Sequence, residues 1–388
     1  MSDTTEAIEQ VTSLSDYISK VGKLHLTQER KPKQLKMNIY YRGQNQDFSN
    51  TLPSLIRNEN YLKNEDKLIN DFITKYPELF GDCKNNFDRL ALMQHHQLPT
   101  RLLDLTSNPL VALYFAVERS DGSTNKDTDL IDGKIFPFTN FYDQVPLCQS
   151  LADDHFESIF SEFTSIKGNN RQFLKSPFSD EIEIESSLSR LNGDDRNNVL
   201  SQLSLFYRDL SKVDTNGSAY WSNLYADIVN SLENKRDKGG LLNSYKKFNK
   251  FSSTKRLYHE IRKDIGDFED LINPLELFVP KIVTPRIIDQ RIKNQRGLFM
   301  FVPFVDNYGV SENEQSTFIG SDDVKKRTQT RINILRLLSS PENQQPLTFV
   351  IPHEKKESIR TELESMGITE SFIYPDPSHI AHEISKYY

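Results

Sequence analysis

Residues 93–117 place a polar stretch directly before an apolar one, and this combination constrains the fold more than any other feature of the chain. The polar residues of the first half include Gln94, His95, Arg101, Asp104 and Thr106. The second half, LVALYFAV at 110–117, is apolar throughout. A helix that is apolar on every side must be buried. The preceding Thr-Ser-Asn-Pro predicts where it begins, because Ser and Asn cap helices and proline suits the first turn.

Two interpretations explain why charged groups lie next to a buried helix, where unpaired charge is costly. In the first, Arg101 and Asp104 form an ion pair that pins a loop, and Thr106 only caps the helix. In the second, the polar groups line a cleft whose floor is the apolar helix, since binding pockets combine apolar walls with a few fixed polar groups. The residues by themselves leave both interpretations open.

Apolar periodicity on both sides of this segment predicts an α+β fold, with a mixed small sheet and surrounding helices. The predicted strands are 37–43, 100–105, 132–138, 278–283, 298–304 and 346–352. The predicted helices are 65–76, 87–96, 286–297, 354–367 and a last helix from Ser378. We expect Gly43 to permit a turn after the first strand, Gly297 to lie near the C-terminus of the 286–297 helix, and Gly367 to stop the 354–367 helix.

The pattern divides the chain into four parts. A polar lead-in, 1–36, is expected to be solvated and to hold one helix at most. The first part of the main domain, 37–144, is followed by a helical insertion, 145–275, in which Tyr220, Leu224, Ile228 and Leu232 form an apolar stripe. The second part of the main domain and its C-terminal strand–helix unit span 276–388. We expect the insertion to pack on the outside of the α+β core.

Composition and missing motifs exclude several classes of function. The net charge of −7 disfavours polyanion binding by the whole molecule. The chain has no glycine-rich phosphate loop and no dinucleotide fingerprint. One basic patch, 236–263, interleaves lysines and arginines with aromatic residues, so nucleic acid is a candidate partner there. The alternative is a solvated helix face whose aromatic side chains point inward.

Location is predicted from three features. Cys83 and Cys148 are isolated, and the N-terminal residues are polar and acidic, unlike a signal peptide. No apolar run approaches the roughly 20 residues that a membrane span needs. We expect a cytoplasmic protein that inserts in no membrane and carries no metal.

Three blocks of the sequence resemble the FRG domain family. The first is Tyr41-Arg42-Gly43 with the following stretch QNQDFSNTLPSLIRN. The second is QHHQLPTRLLDLTSNPLVALYFA, which begins at Gln94, and the third is RIKNQRGLF at 291–299. The family usually has glycine where this chain has Gln97 and tryptophan where it has Leu105. The segment IPHEKKESIRTELESMGITESFIYPD, which begins at Ile351, resembles the family's closing strand–helix–strand.

The resemblance implies an ADP-ribosyltransferase-like core that takes NAD as substrate, in the setting of a toxin or an antiphage effector. Carried over, Arg42 would hold a phosphate or the nicotinamide ribose, as its planar fork suits. Thr106 would match the hydroxyl position and Gln295 the late catalytic position, which is usually glutamate. The other implied binding residues are Tyr41, Gly43, Gln94, His95, Arg101 and Asp104.

Gln295 separates two classes of function. Glutamine donates and accepts hydrogen bonds but offers no negative charge. The alternative is therefore a non-enzymatic module that binds nucleic acid or a protein. The macromolecular acceptor of an active enzyme is not predicted. In either case we expect Arg42, Arg101, Asp104 and Gln295 to converge on one cleft.

Overall fold

The computed structural model describes most of the predicted main domain and part of the predicted insertion. The described residues are 6–29, 38–46, 51–119, 128–139, 184, 186–211, 247–268, 272, 277, 280–286, 290–304, 308–310, 316–318, 321–333, 335–337, 339 and 345–385.

A seven-stranded mixed sheet forms the centre of the described chain. Its strands are β1 Ala7–Gln10, β2 Ile39–Gln44, β3 Leu102–Thr106, β4 Gly133–Thr139, β5 Lys281–Val283, β6 Gly297–Phe301 and β9 Leu347–Ile351. Two further strands, β7 Tyr308–Val310 and β8 Ser316–Phe318, lie outside this sheet. The order in the main sheet is β1-β9-β4-β2-β3-β6-β5, and β7 pairs with β8 separately. Strand β1 is parallel to β9, and the other pairs are antiparallel. The expected α+β class with a mixed sheet is confirmed.

Helices surround this sheet. They are α1 Leu14–Glu29, α2 Ser54–Arg57, α3 Glu59–Lys63, α4 Glu65–Lys75, α5 Asn86–His95, α6 Pro109–Val117, α7 Gly193–Ser211, α8 Ser252–Ile261, α9 Gln290–Gln295, α10 Ser321–Asn333, α11 Lys356–Ser365, α12 Glu370–Ile373 and α13 Pro377–Ser385. Short 3₁₀ turns lie at Pro77–Phe80, Thr128–Leu130 and His353–Lys355.

Side chains alternate between two packed faces of the sheet, as strand geometry requires. On β3, Leu102 packs into the cluster of α4, α5, α7 and α8, while Leu103 and Leu105 pack into the cluster on the opposite face. The second face also receives Ile56 from α2 and Ile332 from α10. Polar residues on central strands are therefore buried unless the packing leaves an opening.

Helix α6 starts and packs as its sequence predicts. Asn108 accepts a hydrogen bond from the Leu110 amide, and Pro109 is the first helical residue. The helix lies directly on the sheet, and a Cβ added to Gly43 would come within 1.9 Å of the Ala112 carbonyl oxygen. The predicted turn at Gly43 is wrong, because this residue lies within β2. Its missing side chain instead allows the close approach of α6.

The expected solvated lead-in is also wrong. Strand β1 joins the edge of the main sheet beside β9, and α1 follows it directly. Val11, Leu14, Tyr17 and Val21 are buried in the cluster around α6. Their spacing of three and four residues is that of a core-facing helix stripe. The polar composition of the segment obscured this narrow stripe.

Two details of the C-terminal half differ from the prediction. The last element of the expected closing strand–helix–strand is the short helix α12 and not a strand, because Thr369 caps it through the Phe372 amide. At the end of α9 the left-handed residue is Arg296, with φ of 45°, and Gly297 already belongs to β6. Gly367, with φ of 78°, ends α11 as predicted.

The described part of the predicted insertion is helical. Helices α7 and α8 share a buried cluster with α4, α5 and β6, and this cluster includes Val199, Leu257 and Phe301. They therefore complete the core on one face of the sheet rather than only covering it. The predicted stripe from Tyr220 to Leu232 lies outside the described residues. The exact limits 145–275 stay a prediction.

Candidate functional site

The main sheet is split between its strands β2 and β3. These two strands are paired at one position, Tyr41 with Thr106, whereas β2 pairs with β4 at six positions and β3 with β6 at five. Asp104 lies in the middle of β3 and is exposed, while the other four residues of that strand are buried. An exposed carboxylate on a central strand marks an opening in the sheet.

A cleft of about 450 Å³ is lined by residues of both separated strands, which is a common size for a small-molecule site. Of the residues that the sequence singled out, eight line it: Tyr41, Arg42, Gly43, Gln94, His95, Asp104, Thr106 and Gln295. Arg42 and Gln295 therefore share one cleft, although 253 positions separate them in the chain (295 − 42).

Arg42 spans the split. Strand alternation places its side chain on the face opposite that of Tyr41, yet its Nη1 donates a hydrogen bond of 2.8 Å to the Asp104 carbonyl oxygen. The same nitrogen lies 3.9 Å from Asp104 Oδ2. Its Nε is buried and has no hydrogen-bond partner among the described residues. The guanidinium thus connects β2 and β3 where their backbones are not paired, and its Nε–H donor is not used by the described residues.

Electrostatics leave Arg42 charged at neutral pH. Burial lowers the pKa of Arg42 to about 10, Asp104 opposes the shift, and the nearby Arg57 adds to it. Arg291 adds a further cation to the cleft wall. With two guanidinium groups and one carboxylate in its wall, the described cleft suits a ligand that carries negative charge.

Asp104 is held from a second side by Gln94. Gln94 Nε2 donates to the two carboxylate oxygens at 3.3 and 3.2 Å. Gln94 Oε1 in turn accepts a 2.7 Å hydrogen bond from Thr100 Oγ1, which fixes the orientation of the amide. The Asp104 side chain is nevertheless 62 % exposed. Its carboxylate is thus oriented and available to a ligand.

The turn after α5 shapes the adjoining wall. The Leu98 amide bonds to the Met93 carbonyl and the Gln97 amide to the Gln94 carbonyl, which is the pattern of a Schellman helix end. This motif requires a left-handed residue, and Gln97 takes that position with φ of 63°. The usual family glycine at this position therefore has a conformational reason. Gln97 adopts the same backbone at some cost and adds an amide to the cleft.

The two residues predicted to be catalytic are both engaged in structural hydrogen bonds. Thr106 Oγ1 donates to the Gln295 carbonyl oxygen at 2.6 Å and accepts from the Asn108 amide. Gln295 Nε2 donates at 3.0 Å to the carbonyl of Ile373 in the C-terminal segment. These bonds tie β3, α9 and α12 together at the cleft. A structural role accounts for both residues without chemistry.

The remaining predicted residues of the wall differ in character. Tyr41 is fully buried, its hydroxyl lies 3.0 Å from His25 Nε2, and burial raises its pKa. His95 lines the cleft and packs edge-on against His96, with ring centroids 5.1 Å apart. Tyr41 therefore belongs to the core as much as to the cleft, while His95 presents a titratable ring beside it.

The predicted role of Arg101 is wrong. The sequence predicted it as a binding residue of the cleft, but it is 2 % exposed and pairs with Glu65 at the start of α4. Its Nε donates at 2.8 Å to Glu65 Oε1, and its guanidinium lies 3.3 Å from the centroid of the Phe304 ring. Arg101 and Asp104 do not pair with each other. Only the tertiary contact with α4, 36 positions away, decides where Arg101 points.

Sequence reasoning missed several wall residues: Ser54, Gln97, Phe115 and Arg291. Gln97, Phe115 and Arg291 lie in the quoted sequence blocks, and Ser54 lies in the stretch QNQDFSNTLPSLIRN after Gly43, so a signal was present for all four. A separate exposed cluster, Asp132, His353 and Glu354, brings three ligand atoms within 4.8 Å, but the His353 ring and amide already bond to Asp132. None of the three lines the cleft.

The basic patch is described only from residue 247 onward. There Phe248 and Tyr258 are buried, and Arg256 pairs with Asp195. These two aromatic rings therefore serve the core, while Phe251 is partly buried, which favours the solvated-face interpretation for this part. No helix in the described ranges has the length and apolar character that a bilayer crossing demands.

Comparison with known proteins supports the first two of the sequence blocks. The family model of the FRG domain matches residues 37–125, which include β2, α5, β3 and α6 and so most of the residues around the split. No curated protein and no solved structure matches the chain. The part of the protein that carries Arg42, Gln94 and Asp104 is an FRG domain.

Proposed function

We propose that the cleft binds a nucleotide of the NAD type and that the protein is an ADP-ribosyltransferase-like or otherwise NAD-consuming enzyme. The observation that carries this proposal is Arg42, a charged guanidinium in the split of the sheet whose buried Nε has no partner among the described residues. A buried donor without a partner is costly, and a phosphate oxygen is the kind of group that removes the cost. Arg291 supplies a second cation for a diphosphate.

The residues present fit such a ligand. The cleft combines two guanidinium groups with the amides of Gln94 and Gln97 and with apolar walls from Leu105 and Phe115. Sites for nucleotides need this mixture of charge, hydrogen-bonding groups and apolar surface. The family resemblance adds the ADP-ribosyltransferase-like core and the role in defence, which remain part of the proposal.

Calorimetric titration with NAD tests the proposal through Arg42. We expect the wild type to bind, Arg42→Ala to lose at least tenfold in affinity, and Arg42→Lys to recover part of it, since lysine keeps the charge but loses the fork. Arg119→Ala is the matched control, because Arg119 is an exposed arginine paired with Asp129 and Glu357 outside the cleft. Absence of binding at millimolar NAD, or equal affinity of Arg42→Ala and wild type, would overturn the proposal.

A second function, that of a non-enzymatic binding module, is favoured by one specific observation. The hydroxyl of Thr106 and the amide of Gln295 are committed to structural hydrogen bonds. Incubation of the protein with NAD and a cell extract separates the two functions. Release of nicotinamide supports the enzyme. Absence of release, together with no NAD binding in the calorimetric titration, supports the module that binds nucleic acid or a protein.

A further inference from the structure

We infer that Asp104, and not Gln295, meets the positively charged end of the ligand in the cleft, and that the site therefore selects a nucleotide with a cationic ring, such as oxidised NAD. This inference rests on the proposed function and deepens it. It concerns the part of the site that Arg42 does not explain. A carboxylate beside the arginine repels a phosphate, so it weakens a site that binds phosphates alone.

The first supporting observation is the exposure of Asp104. On a central strand whose other four residues are buried, its side chain is 62 % exposed and lines the cleft. Among the wall residues in the described chain, it alone carries a carboxylate. Among the described wall residues, Asp104 is therefore the side chain that attracts a cation by a negative charge.

The second observation is how Asp104 is held. Gln94 Nε2 contacts both carboxylate oxygens, and Thr100 fixes the Gln94 amide from the other side. Arg42 Nη1 bonds the backbone carbonyl of Asp104 and is 3.9 Å from Oδ2, beyond hydrogen-bond distance. The carboxylate is thus oriented by a neutral amide and is not neutralised by a close bidentate arginine. Its charge remains available to a ligand.

The third observation is the state of Gln295. Its amide nitrogen donates to the Ile373 carbonyl, and a glutamine carries no charge in any case. Cleavage between a pyridinium ring and its ribose passes the bonding electron pair to the ring nitrogen and leaves positive charge on the ribose. Water or an acceptor hydroxyl then bonds the ribose carbon and releases a proton. Asp104 is the one carboxylate among the described wall residues, and it can stabilise that charge and accept that proton.

Calorimetry with two ligands of nearly equal shape tests the inference without relying on turnover. Oxidised NAD carries the pyridinium charge, and NADH does not. We expect the wild type to prefer oxidised NAD by about fivefold, which corresponds to about 1 kcal/mol. Asp104→Asn should bind both forms equally. Asp132→Asn, an exposed carboxylate outside the cleft, is the matched control and should keep the preference.

The outcomes separate the two proposals. If the wild type binds neither form, the proposed function fails and this inference falls with it. If the wild type binds both forms without preference, or if Asp104→Asn keeps the preference, the inference alone is overturned. Asp104→Ser serves as a second variant, with thermal melting to show that each variant is folded. Nicotinamide release by Asp104→Asn at the wild-type rate would likewise contradict the inference.

Discussion

Two arginine–carboxylate pairs, each with one member in the segment 101–104, have opposite characters. Arg101 and Glu65 are each 2 % exposed, with a closest contact of 2.5 Å. Arg42 and Asp104 are 14 % and 62 % exposed, and their charged atoms are 3.9 Å apart. The first pair satisfies its own charges inside the protein. The second leaves charge and donors unused at the wall of a cleft, which is the condition for binding something else.

The buried pair should give the largest loss of stability when it is broken. Glu65→Ala leaves the Arg101 guanidinium buried without its carboxylate, so we expect a loss of about 3–5 kcal/mol in the free energy of unfolding. Asp104→Ala should cost less than about 1 kcal/mol, because that pair is open to solvent. Urea denaturation of both variants measures the contrast. Similar losses of stability in the two variants would contradict the difference between the two pairs.

Lys356 extends the comparison to a buried cation whose ammonium group donates to backbone carbonyl groups. It is fully buried, its Nζ donates to the Asn45 and Thr128 carbonyls, and burial lowers its pKa from 10.5 to about 8. Between these two pH values the unfolded chain holds a proton that the folded chain has lost. Stability should therefore rise with pH from about 8 to 10.5, by as much as about 3 kcal/mol.

Lys356→Met provides the control for this pH dependence. The variant should lack the rise, whatever its absolute stability, because methionine does not titrate. Denaturation curves at several pH values between 7.5 and 10.5 give the two slopes. Parallel slopes for wild type and variant would show that Lys356 is not the group responsible.

Substitution of Gly43 tests how tightly β2, the strand that carries Arg42, packs against α6. A Cβ at this position would collide with the Ala112 carbonyl, so Gly43→Ala should destabilise the protein by about 1–3 kcal/mol or more. Gly22→Ala is the matched control, because nothing lies within 4 Å of its added Cβ in α1. That control should stabilise by about 0.5–1 kcal/mol. Thermal melting distinguishes the two, and a tolerated Gly43→Ala would contradict the packing.

The smallest expected effect concerns the turn at Gln97, which ends α5 beside the cleft. Gln97→Gly should stabilise the protein by up to about 1 kcal/mol, since glycine adopts the left-handed backbone of this helix end without strain. Melting temperature measures this gain. Titration of the same variant with NAD should show whether the Gln97 amide contributes to the affinity for the ligand. A loss of stability would indicate that the Gln97 side chain holds the turn.

The sequence predicted the local elements of the main domain well, because they depend on short-range chemistry. The cap at Asn108, proline in the first turn of α6 and the glycine stop at Gly367 are determined within a few residues. The same is true of β2 and β4, whose strand periods are clear. The errors arose where distant contacts decide, as for β1, which becomes a strand by pairing with β9 near the other end of the chain.

The sequence alone therefore determined the α+β class, the buried helix α6 and the set of residues from which the site is drawn. Only the tertiary structure decided which arginine serves the core and which serves the cleft. That choice depends on Glu65 lying opposite Arg101, and on β2 and β3 separating so that Arg42 and Asp104 face an opening. A charged side chain takes the partner that the folded chain brings to it, and its spacing in the sequence does not specify that partner.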